Sequence, residues 1–331
     1  MEVTGLRTDK TLKPSRSTEA VHSKIIPCVA ILMCTFNGER FLRQQLESFC
    51  EQTHKNWTLL VSDDGSSDST LKILAEYTKR LGPQQLRIIE GPKKGYVANF
   101  LNVTRSVDST AEFYAWADQD DIWTNDKIEA ALDILREDSS NSPTLYCSRT
   151  HLISESGALI GYSKNFRRRP QFLNALVQSI SGGNTMVFNR AALELLNRTD
   201  KNLGVVSHDW WAYQLISGAG GKIHYDSVAR VLYRQHSENI IGNKKNLLNK
   251  ARHLARVFGG LHSEWNDKNI HALDQMRNSL SEENRIILDV FKVARNETFM
   301  KRAFHLFRLG IHRQTLPGNL ALFIAILFRK I

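Results

Sequence analysis

Signatures of several well-known protein classes are missing from this 331-residue sequence. No G-x-G-x-x-G follows the first predicted strand and no G-x-x-x-x-G-K-S/T occurs, so a dinucleotide-binding or P-loop protein loses its main support. The four cysteines have neither C-x-x-C spacing nor a histidine at zinc-binding distance along the chain: Cys28, Cys34, Cys50 and Cys147. We therefore expect buried, apolar cysteines in a reducing compartment.

Long apolar runs and a secretory signal are also missing. Residues 1–24 are polar and lack an apolar segment, so we expect a loose N-terminal arm on a cytoplasmic protein. The apolar run near the C-terminus, residues 320–328, has nine residues, far below the roughly 20 that a bilayer-spanning helix needs. With 42% hydrophobic residues and no low-complexity tract, the composition is typical of a packed fold.

Acidic residues are missing from residues 301–331, which carry six Lys or Arg. The whole chain has 44 basic and 34 acidic residues, a net charge of +10, so this tail holds six of the ten excess charges. The remaining body is only mildly basic. The location of the charge therefore matters more than its total when nucleic-acid and membrane partners are considered.

Apolar runs and amphipathic segments alternate through the first 137 residues. Four segments have the length and composition of strands: residues 27–33, 57–62, 86–90 and the stretch that begins at Phe113. A helix is predicted after each of them, and in the second helix we expect Leu71, Leu74 and Tyr77 on the buried face with Asp68 as N-cap. This alternation predicts an α/β fold, with a mostly parallel sheet and right-handed crossovers.

The pattern changes beyond residue 137. Strands are predicted at residues 144–153, 184–189 and 222–233, and helices at 170–179, from Ser207 to about Ile216, and beyond Asn243. The second part of the sheet is therefore expected to be mixed, with further helices at the C-terminus.

Polar clusters follow three of the predicted strands: Thr35-Phe36-Asn37, Asp63-Asp64-Gly65-Ser66 and Asp118-Gln119-Asp120-Asp121. Ligands of open parallel sheets bind at the carboxyl ends of the strands, and the fold brings these ends to one edge. Three acids within four residues repel one another unless a cation lies between them. A divalent ion shared with a phosphate is the commonest solution. The alternative is an acidic helix N-terminus before Trp123.

With these segments in view, the sequence resembles the family-2 glycosyltransferases of GT-A fold, and among them the bacterial rhamnosyltransferase-like branch. The matching segments appear in the family's order and spacing: residues 35–42, 62–68, 117–123, 207–211 and 233–236. The resemblance implies a flexible arm at 1–24, a Rossmann-like GT-A domain at 25–242 with a mixed, mostly parallel sheet, and a helical basic extension at 243–331.

The resemblance implies an inverting, metal-dependent transfer from a nucleoside-diphosphate sugar, with dTDP-rhamnose the best candidate and a UDP-hexose the alternative. Asp118-Gln119-Asp120 becomes the DXD motif, in which Asp120 binds Mg²⁺ or Mn²⁺, Asp118 meets the ribose and Asp121 orients the others. The metal would neutralise the departing nucleoside diphosphate as a Lewis acid. His236 is implied as a further metal ligand on a late loop.

Other positions are implied at the nucleotide. Asp64 and Thr35 would contact the nucleobase, and Asn37 belongs to the same site. Lys94 and Asn99 are weaker candidates for the nucleotide cleft, and Lys94 is equally well explained as a solvated loop charge. Without the resemblance, Asp-Asp-Gly-Ser is a common turn followed by an N-cap.

Asp209 occupies the family's catalytic-base position, with a helix cap as the alternative. Either Trp210 or Trp211 would present an aromatic face to an acceptor sugar, unless both belong to the core. His208 matches the rhamnosyltransferase-like branch, and the resemblance implies that it lies beside the donor or the acceptor.

Two further positions are implied beside the sugar and the diphosphate. Asn184, in a Gly-Gly-Asn-Thr segment, would approach the donor or acceptor, and Arg234 would bind the diphosphate.

The acceptor implied by the resemblance is a growing saccharide of a surface polysaccharide, free or polyprenyl-linked. The basic and apolar tail then suits an interfacial helix on the inner face of the cell membrane. The alternative is a helix that covers the domain's own core or a dimer contact.

Two rival functions remain from the residues alone. A nonenzymatic nucleic-acid-binding protein is suggested by the pI of about 9.5 and by Arg167, Arg168 and Arg169. Acidic strand ends and the lack of a recognised motif disfavour it, so no nucleic-acid partner is expected. A nucleotidyltransferase would need a Gly-rich triphosphate loop, which the segment after the first strand does not clearly supply.

Overall fold

A computed structural model describes residues 26–108, 110–137, 141–236 and 261–331. The predicted N-terminal arm and the predicted boundary at 243 lie outside these residues, so both stay predictions. Nine strands form one sheet within the described residues: β1 (Val29–Thr35), β2 (Trp57–Asp63), β3 (Leu86–Glu90), β4 (Phe113–Ala117), β5 (Ile122–Trp123), β6 (Thr144–Ser154), β7 (Leu159–Tyr162), β8 (Val187–Asn189) and β9 (Lys222–Gln235). The α-helices of the same residues are α1 (Leu42–Cys50), α2 (Thr70–Leu81), α3 (Tyr96–Ser106), α4 (Lys127–Glu137), α5 (Phe172–Ala175), α6 (Arg190–Asn197), α7 (His208–Gly218), α8 (Leu261–Gln275), α9 (Glu282–Asn296), α10 (Phe299–Leu309) and α11 (Leu316–Leu327).

The strand order is β3-β2-β1-β4-β8-β6-β9-β5, and β7 pairs with β6 at the side. The first four strands are parallel. β8 then pairs antiparallel with both β4 and β6, β6 and β9 are parallel, and β5 pairs antiparallel with β9. The predicted α/β class with a mixed, mostly parallel sheet is confirmed. Because β2 and β4 flank β1 on opposite sides, their carboxyl ends meet at the switch point where ligands bind in such sheets.

Both faces of the sheet are covered, which explains why β1 is apolar without alternation. All seven residues of β1 are buried. Val29, Ile31 and Met33 pack with α1, α2 and α4, whereas Ala30 and Leu32 pack with α3, α6 and α7. Strands buried on both faces read as continuous apolar runs.

The C-terminal helices pack on the same core as α7. Leu288, Phe291 and Leu306 belong to its buried cluster. Ser281 N and Asn284 Nδ2 donate to Gly218 O at 3.0 Å, so the start of α9 covers the end of α7. This part of the predicted extension therefore packs on the core of the molecule.

Two local predictions about α2 were wrong. Leu71 is 45% exposed, and Ile73 takes its place beside Leu74 on the buried face. Ser69 occupies the N-cap position without a side-chain cap bond, and the preceding Asp68 accepts hydrogen bonds from Thr70 N and Oγ1. Asp68, one residue before the N-cap, thus accepts the hydrogen bond of the first backbone N–H of the helix.

Other elements differ from the expectation because they depend on pairing with segments that are distant in sequence. Ile122 and Trp123 form a strand with β9, and α4 begins only at Lys127, so the acidic loop does not start a helix. The predicted strand 184–189 is shortened to β8, since Gly183–Thr185 is a 3-10 turn. β7 and α6 were not predicted.

Candidate active site

The short strand β5 holds the acidic loop against β9. Ile122 pairs with Leu232, which places Asp121 opposite the end of β9. Arg234 N donates to Asp121 Oδ1 at 3.1 Å, and Asn184 Nδ2 donates to Asp121 Oδ2. Asp121 is fully buried. Asn184 and Asp121 therefore hold the loop in place and present little surface to a ligand.

Arg234 is structural, which corrects its predicted role in diphosphate binding. Its guanidinium donates to Asp120 O at 3.0 Å, Glu155 O at 2.8 Å and Gln44 Oε1 at 2.5 Å. It also lies 4.6 Å from the centre of the Phe41 ring and is 1% exposed. Because every nitrogen of the guanidinium donates within the protein, Arg234 braces the acidic loop from below.

Asp120 and His236 meet at the open side of the same loop. His236 Nε2 lies 2.7 Å from Asp120 Oδ2, and its ring packs 5.3 Å from that of Phe41. The Asp120 side chain is 19% exposed. The structure thus brings together the two predicted metal ligands, which lie 116 positions apart in sequence.

The fit to a divalent ion rests on this pair. No three His, Cys, Asp or Glu side chains converge as a metal cluster within the described residues. Asp120 and His236 nevertheless supply one oxygen and one nitrogen donor side by side. A metal held by them would take its remaining ligands from a diphosphate and water.

The carboxylates of this loop destabilise one another. Burial, then Asp120 and Asp209, raise the pKa of Asp118 to about 8. Burial, then Asp120 and Asp118, raise the pKa of Asp121 well above its ordinary value, against the bonds from Asn184 and Arg234 N. Like charges in a buried site favour proton uptake or a bound cation. The electrostatic demand for a cation therefore persists in the folded chain.

Lys127, which sequence reasoning missed, lies beneath this loop. It is fully buried, with Nζ 3.3 Å from the centre of the Trp123 ring and no hydrogen-bond partner among the described residues. Burial lowers the pKa of Lys127 far below its ordinary value, while Asp121 opposes this shift. A lysine at a predicted helix start gave no signal that it would be buried.

Asp209 lies at the start of α7 and faces the acidic loop. Ser207 is the N-cap residue, so Asp209 is not the cap itself. Asp209 Oδ1 accepts from Ser207 Oγ at 2.5 Å and from Trp210 N at 2.6 Å. Asp209 raises the pKa of Asp118, so the predicted base and the acidic loop share one site.

Tyr96, at the start of α3, was also missed. Burial, then Asp209 and Asp118, raise the pKa of its hydroxyl. Its ring is half-buried and lies 6.1 Å from that of His208. Tyr96 therefore borders the space between the predicted base and the DXD loop. An aromatic residue directly after a glycine at a helix start was the available signal.

His208 is buried rather than open to the cleft. Its ring stacks on Phe100 at 3.9 Å, and neither ring nitrogen has a hydrogen-bond partner in the described chain. A Cβ at Gly183 would lie 2.2 Å from His208 Nε2, so only glycine fits there. Burial lowers the pKa of His208 to about 4, so the ring is neutral at pH 7.

The two tryptophans belong to the core, which was one of the two alternatives that the sequence left open. Trp210 is 6% exposed and donates from Nε1 to Ala175 O at 2.7 Å. Trp211 is fully buried and donates to Thr199 Oγ1 at 3.1 Å. Both indoles satisfy their N–H inside the protein, so neither offers a ring face to an acceptor.

Each carboxylate oxygen of Asp63 and Asp64 accepts at least one hydrogen bond. Asp63 accepts from Thr35 Oγ1 at 2.8 Å, from Gly65 N and Ser66 N, and from Ser66 Oγ. Asp64 accepts from Lys93 N at 2.6 Å and Gly95 N at 2.9 Å. Thr35 and Asp64 thus lie together as predicted, and their observed bonds hold the turn and the loop before α3.

Three remaining candidates have separate positions. Asn37, with φ +47°, accepts from Ser67 N at 2.8 Å and joins the loops after β1 and β2. Lys94 is exposed on the loop before α3. Asn99 is 1% exposed and uses both amide atoms on Ser62, which corrects its placement in the cleft.

Gln119, the middle residue of the motif, ties two strand-end loops together. Its amide accepts from Phe36 N at 2.9 Å and donates to Phe36 O at 3.0 Å. A Cβ at Gly38 would lie 2.3 Å from Gln119 Oε1. The loop after β1 is therefore held beside the acidic loop by a two-point contact.

The comparison with known proteins identifies the family of this chain. Residues 30–196, half of the chain, match the model of "Glycosyl transferase family 2". The chain belongs to this family and is a glycosyltransferase.

One relative in particular resembles this chain along most of its length. It is 28% identical over 248 residues, covering 72% of this chain and 82% of the relative, which is the dTDP-rhamnosyl transferase RfbG of Shigella flexneri. A second, 23% identical over 70% of this chain and 71% of its own, is the uncharacterized glycosyltransferase RT0329 of Rickettsia typhi.

The fold is shared with solved glycosyltransferase structures. TarS 1-349 of S. aureus in complex with UDP matches with a TM-score of 0.51 at 16% identity, covering 90% of each chain. At this identity the likeness establishes the GT-A fold alone.

Proposed function

We propose that this glycosyltransferase is metal-dependent and inverts the configuration of the sugar that it transfers. The observation that carries the proposal is the convergence of Asp118, Asp120 and His236 at the switch point of the sheet. A metal held by Asp120 and His236 would bind the donor diphosphate and neutralise the charge that develops on it. Asp118 would accept a hydrogen bond from the donor ribose.

Asp209 is proposed as the general base. It faces Asp118, and Oδ1 is held by two hydrogen bonds while Oδ2 accepts none from the described residues. Oδ2 would take the proton of the acceptor hydroxyl while the hydroxyl oxygen attacks the anomeric carbon of the donor sugar. The bond between that carbon and the diphosphate oxygen breaks, and the nucleoside diphosphate departs.

The nucleotide is proposed to bind over the loops after β1 and β2. Thr35, Asn37 and Asp64 lie at this edge, and Lys94 is exposed nearby. The dTDP-rhamnose donor is supported by the RfbG relative, and a UDP-hexose is the second candidate. Since Asp64 already accepts two backbone N–H bonds, it would meet a nucleobase with its remaining lone pairs.

The acceptor is proposed to be a growing saccharide of a bacterial surface polysaccharide, free or polyprenyl-linked. The rhamnosyl activity named for the Shigella relative supports this class of product. Among the described residues, none of the helices has both the length and the apolarity to cross a membrane. We place the enzyme in the cytoplasm at the inner face of the cell membrane.

Thermal unfolding with sugar nucleotides tests the donor and the metal together. The full chain would be heated with dTDP-, UDP- and GDP-sugars, each with EDTA, Mg²⁺ or Mn²⁺. A donor at 100 times its Kd raises stability by about 2.7 kcal/mol, which is readily detected. We expect dTDP-rhamnose to stabilise the protein only with metal. Equal stabilisation in EDTA would overturn the metal assignment, and a preference for UDP-sugars would overturn the rhamnosyl donor.

A further inference from the structure

The two last helices expose an apolar face that the other described residues do not cover. On α10, Met300, Phe304 and Phe307 recur at four- and three-residue spacing, and α11 repeats this with Leu316, Leu320 and Phe323. Residues at this spacing share one side of a helix. All six are 39–81% exposed. We name these six residues the apolar face.

The two stripes form one surface. The rings of Phe307 and Phe323 lie 5.7 Å apart, which joins α10 to α11. On the opposite side, Arg302 is 2% exposed and donates to Ile326 O and Leu327 O at the end of α11. Leu306 and Leu322 are buried there as well. The apolar face is therefore the outer side of a packed helix pair.

The pair is also fixed to the rest of the protein. Asn174 Nδ2 donates to His312 O at 2.9 Å, and Gln314 N donates to Gln178 Oε1 at 2.9 Å. The guanidinium of Arg313 donates to Val177 O. The loop between α10 and α11 is thus anchored beside α5, so the apolar face has a defined orientation on the enzyme.

Charge distinguishes the possible occupants of this face. Lys301, Arg308 and Arg329 are exposed, while no acidic residue occurs from residue 298 to 331. Two copies joined face to face about a twofold axis would bring these cations together without a carboxylate from this segment. An anionic lipid surface accepts both features, since apolar side chains enter the acyl boundary and cations meet the headgroups.

We propose that the apolar face docks the enzyme on an anionic membrane, with Phe304, Phe307, Leu320 and Phe323 inserted and Lys301 and Arg308 at the headgroups. The docking is specific to this face rather than to the whole basic tail, because Arg302 and Arg313 are engaged within the protein. The choice of a membrane as partner rests on the proposed function, since a lipid-linked acceptor would lie at such a surface.

Vesicle sedimentation of the full chain tests the proposal. We expect the protein to pellet with phosphatidylglycerol–phosphatidylcholine vesicles at low salt, and at least about tenfold less with phosphatidylcholine alone. Phe304→Ser with Phe323→Ser should lower binding to the mixed vesicles at least about tenfold. Lys301→Glu with Arg308→Glu should do the same and should remove the salt dependence. Leu159→Ser with Ile160→Ser, on the exposed strand β7, is the matched control and should bind as the wild type does.

Several results would overturn the proposal. Wild-type protein that stays in the supernatant with both vesicle types excludes membrane docking, as do face variants that bind unchanged. A dimer in sedimentation velocity that is lost in the Phe304 and Phe323 variant would make the face an interface between copies. Metal-dependent donor stabilisation in the same samples reports on the proposed function separately. Loss of that stabilisation with normal vesicle binding contradicts the function and not the docking face.

Discussion

Two acidic loops leave the strands on either side of β1, and their carboxylates have opposite surroundings. After β2, Asp63 and Asp64 accept hydrogen bonds from backbone N–H groups and hydroxyls on every carboxylate oxygen. After β4, Asp121 is buried and Asp118 is half-buried beside Asp120, and the pKa values of both carboxyls rise. Similar residues at the ends of the two strands therefore have different surroundings and different roles.

The difference lies in the supply of donors. A carboxylate that accepts several N–H bonds is stable as an anion within the fold. Where carboxylates face each other without such donors, their negative charge is balanced by bound protons or by a metal ion with its bound phosphate. The first loop shapes the edge at which we propose that the nucleotide binds, and the second is suited to bind a cation. Substitutions in the two loops should therefore affect different properties.

The largest effect is expected from Asp120→Asn. Removing the partly exposed carboxylate beside His236 should reduce transfer at least about 10³-fold, because the proposed metal would no longer be held where it neutralises the leaving diphosphate. Initial rates of nucleoside-diphosphate release measure this. The melting temperature without ligand should stay close to that of the wild type. Metal-dependent donor stabilisation that survives in this variant would sink the assignment of Asp120 as ligand.

Asp209→Asn should lower transfer about 10²- to 10⁴-fold, since an amide cannot take the acceptor proton. Donor stabilisation with metal should remain, because the proposed role of Asp209 concerns the acceptor hydroxyl and not the donor. This separates a base from a metal ligand. Turnover equal to that of the wild type would reject Asp209 as the base.

Asp63→Asn should lower the free energy of unfolding more than it lowers the rate of transfer. It weakens charge-assisted bonds to Thr35 and Ser66 at a site that is 6% exposed, so unfolding free energy should fall by about 2 kcal/mol. Urea unfolding measures the change. Asp108→Asn, whose side chain is 67% exposed in an ion pair with Arg87, is the control and should change it little. Equal effects of the two would mean that the turn does not depend on Asp63.

The last prediction concerns pH. The pKa of Asp118 is about 8 in the folded chain, above its unfolded value of about 3.9, so the folded state binds more protons between these values. Metal-free stability should therefore fall as pH rises from about 4 to 8. Asp118→Asn should flatten this dependence, as should Mg²⁺ with a nucleoside diphosphate. Urea midpoints across this range give the test, and identical pH profiles for variant and wild type would contradict it.

The first four strands and their helices could be predicted because apolar periodicity is a local property. The pairing of β5 with β9 could not, since a two-residue strand exists only through a partner more than 100 positions away. The same limit applies to side-chain direction. Trp210 and Trp211 stand next to the predicted base, yet both point into the core, and Leu71 points outward where Ile73 points inward.

Residue types and their order by themselves determined the α/β class, the acidic strand end and the family to which the chain belongs. Only the tertiary structure decided which polar residues are structural. Arg234 and Asn99 use their side-chain nitrogens inside the protein, and Asn184 donates to the buried Asp121, whereas Asp120 and His236 meet at a partly exposed edge. The reason is physical: a motif specifies which groups are near in sequence, but hydrogen-bond partners and exposure are set by segments that meet only on folding.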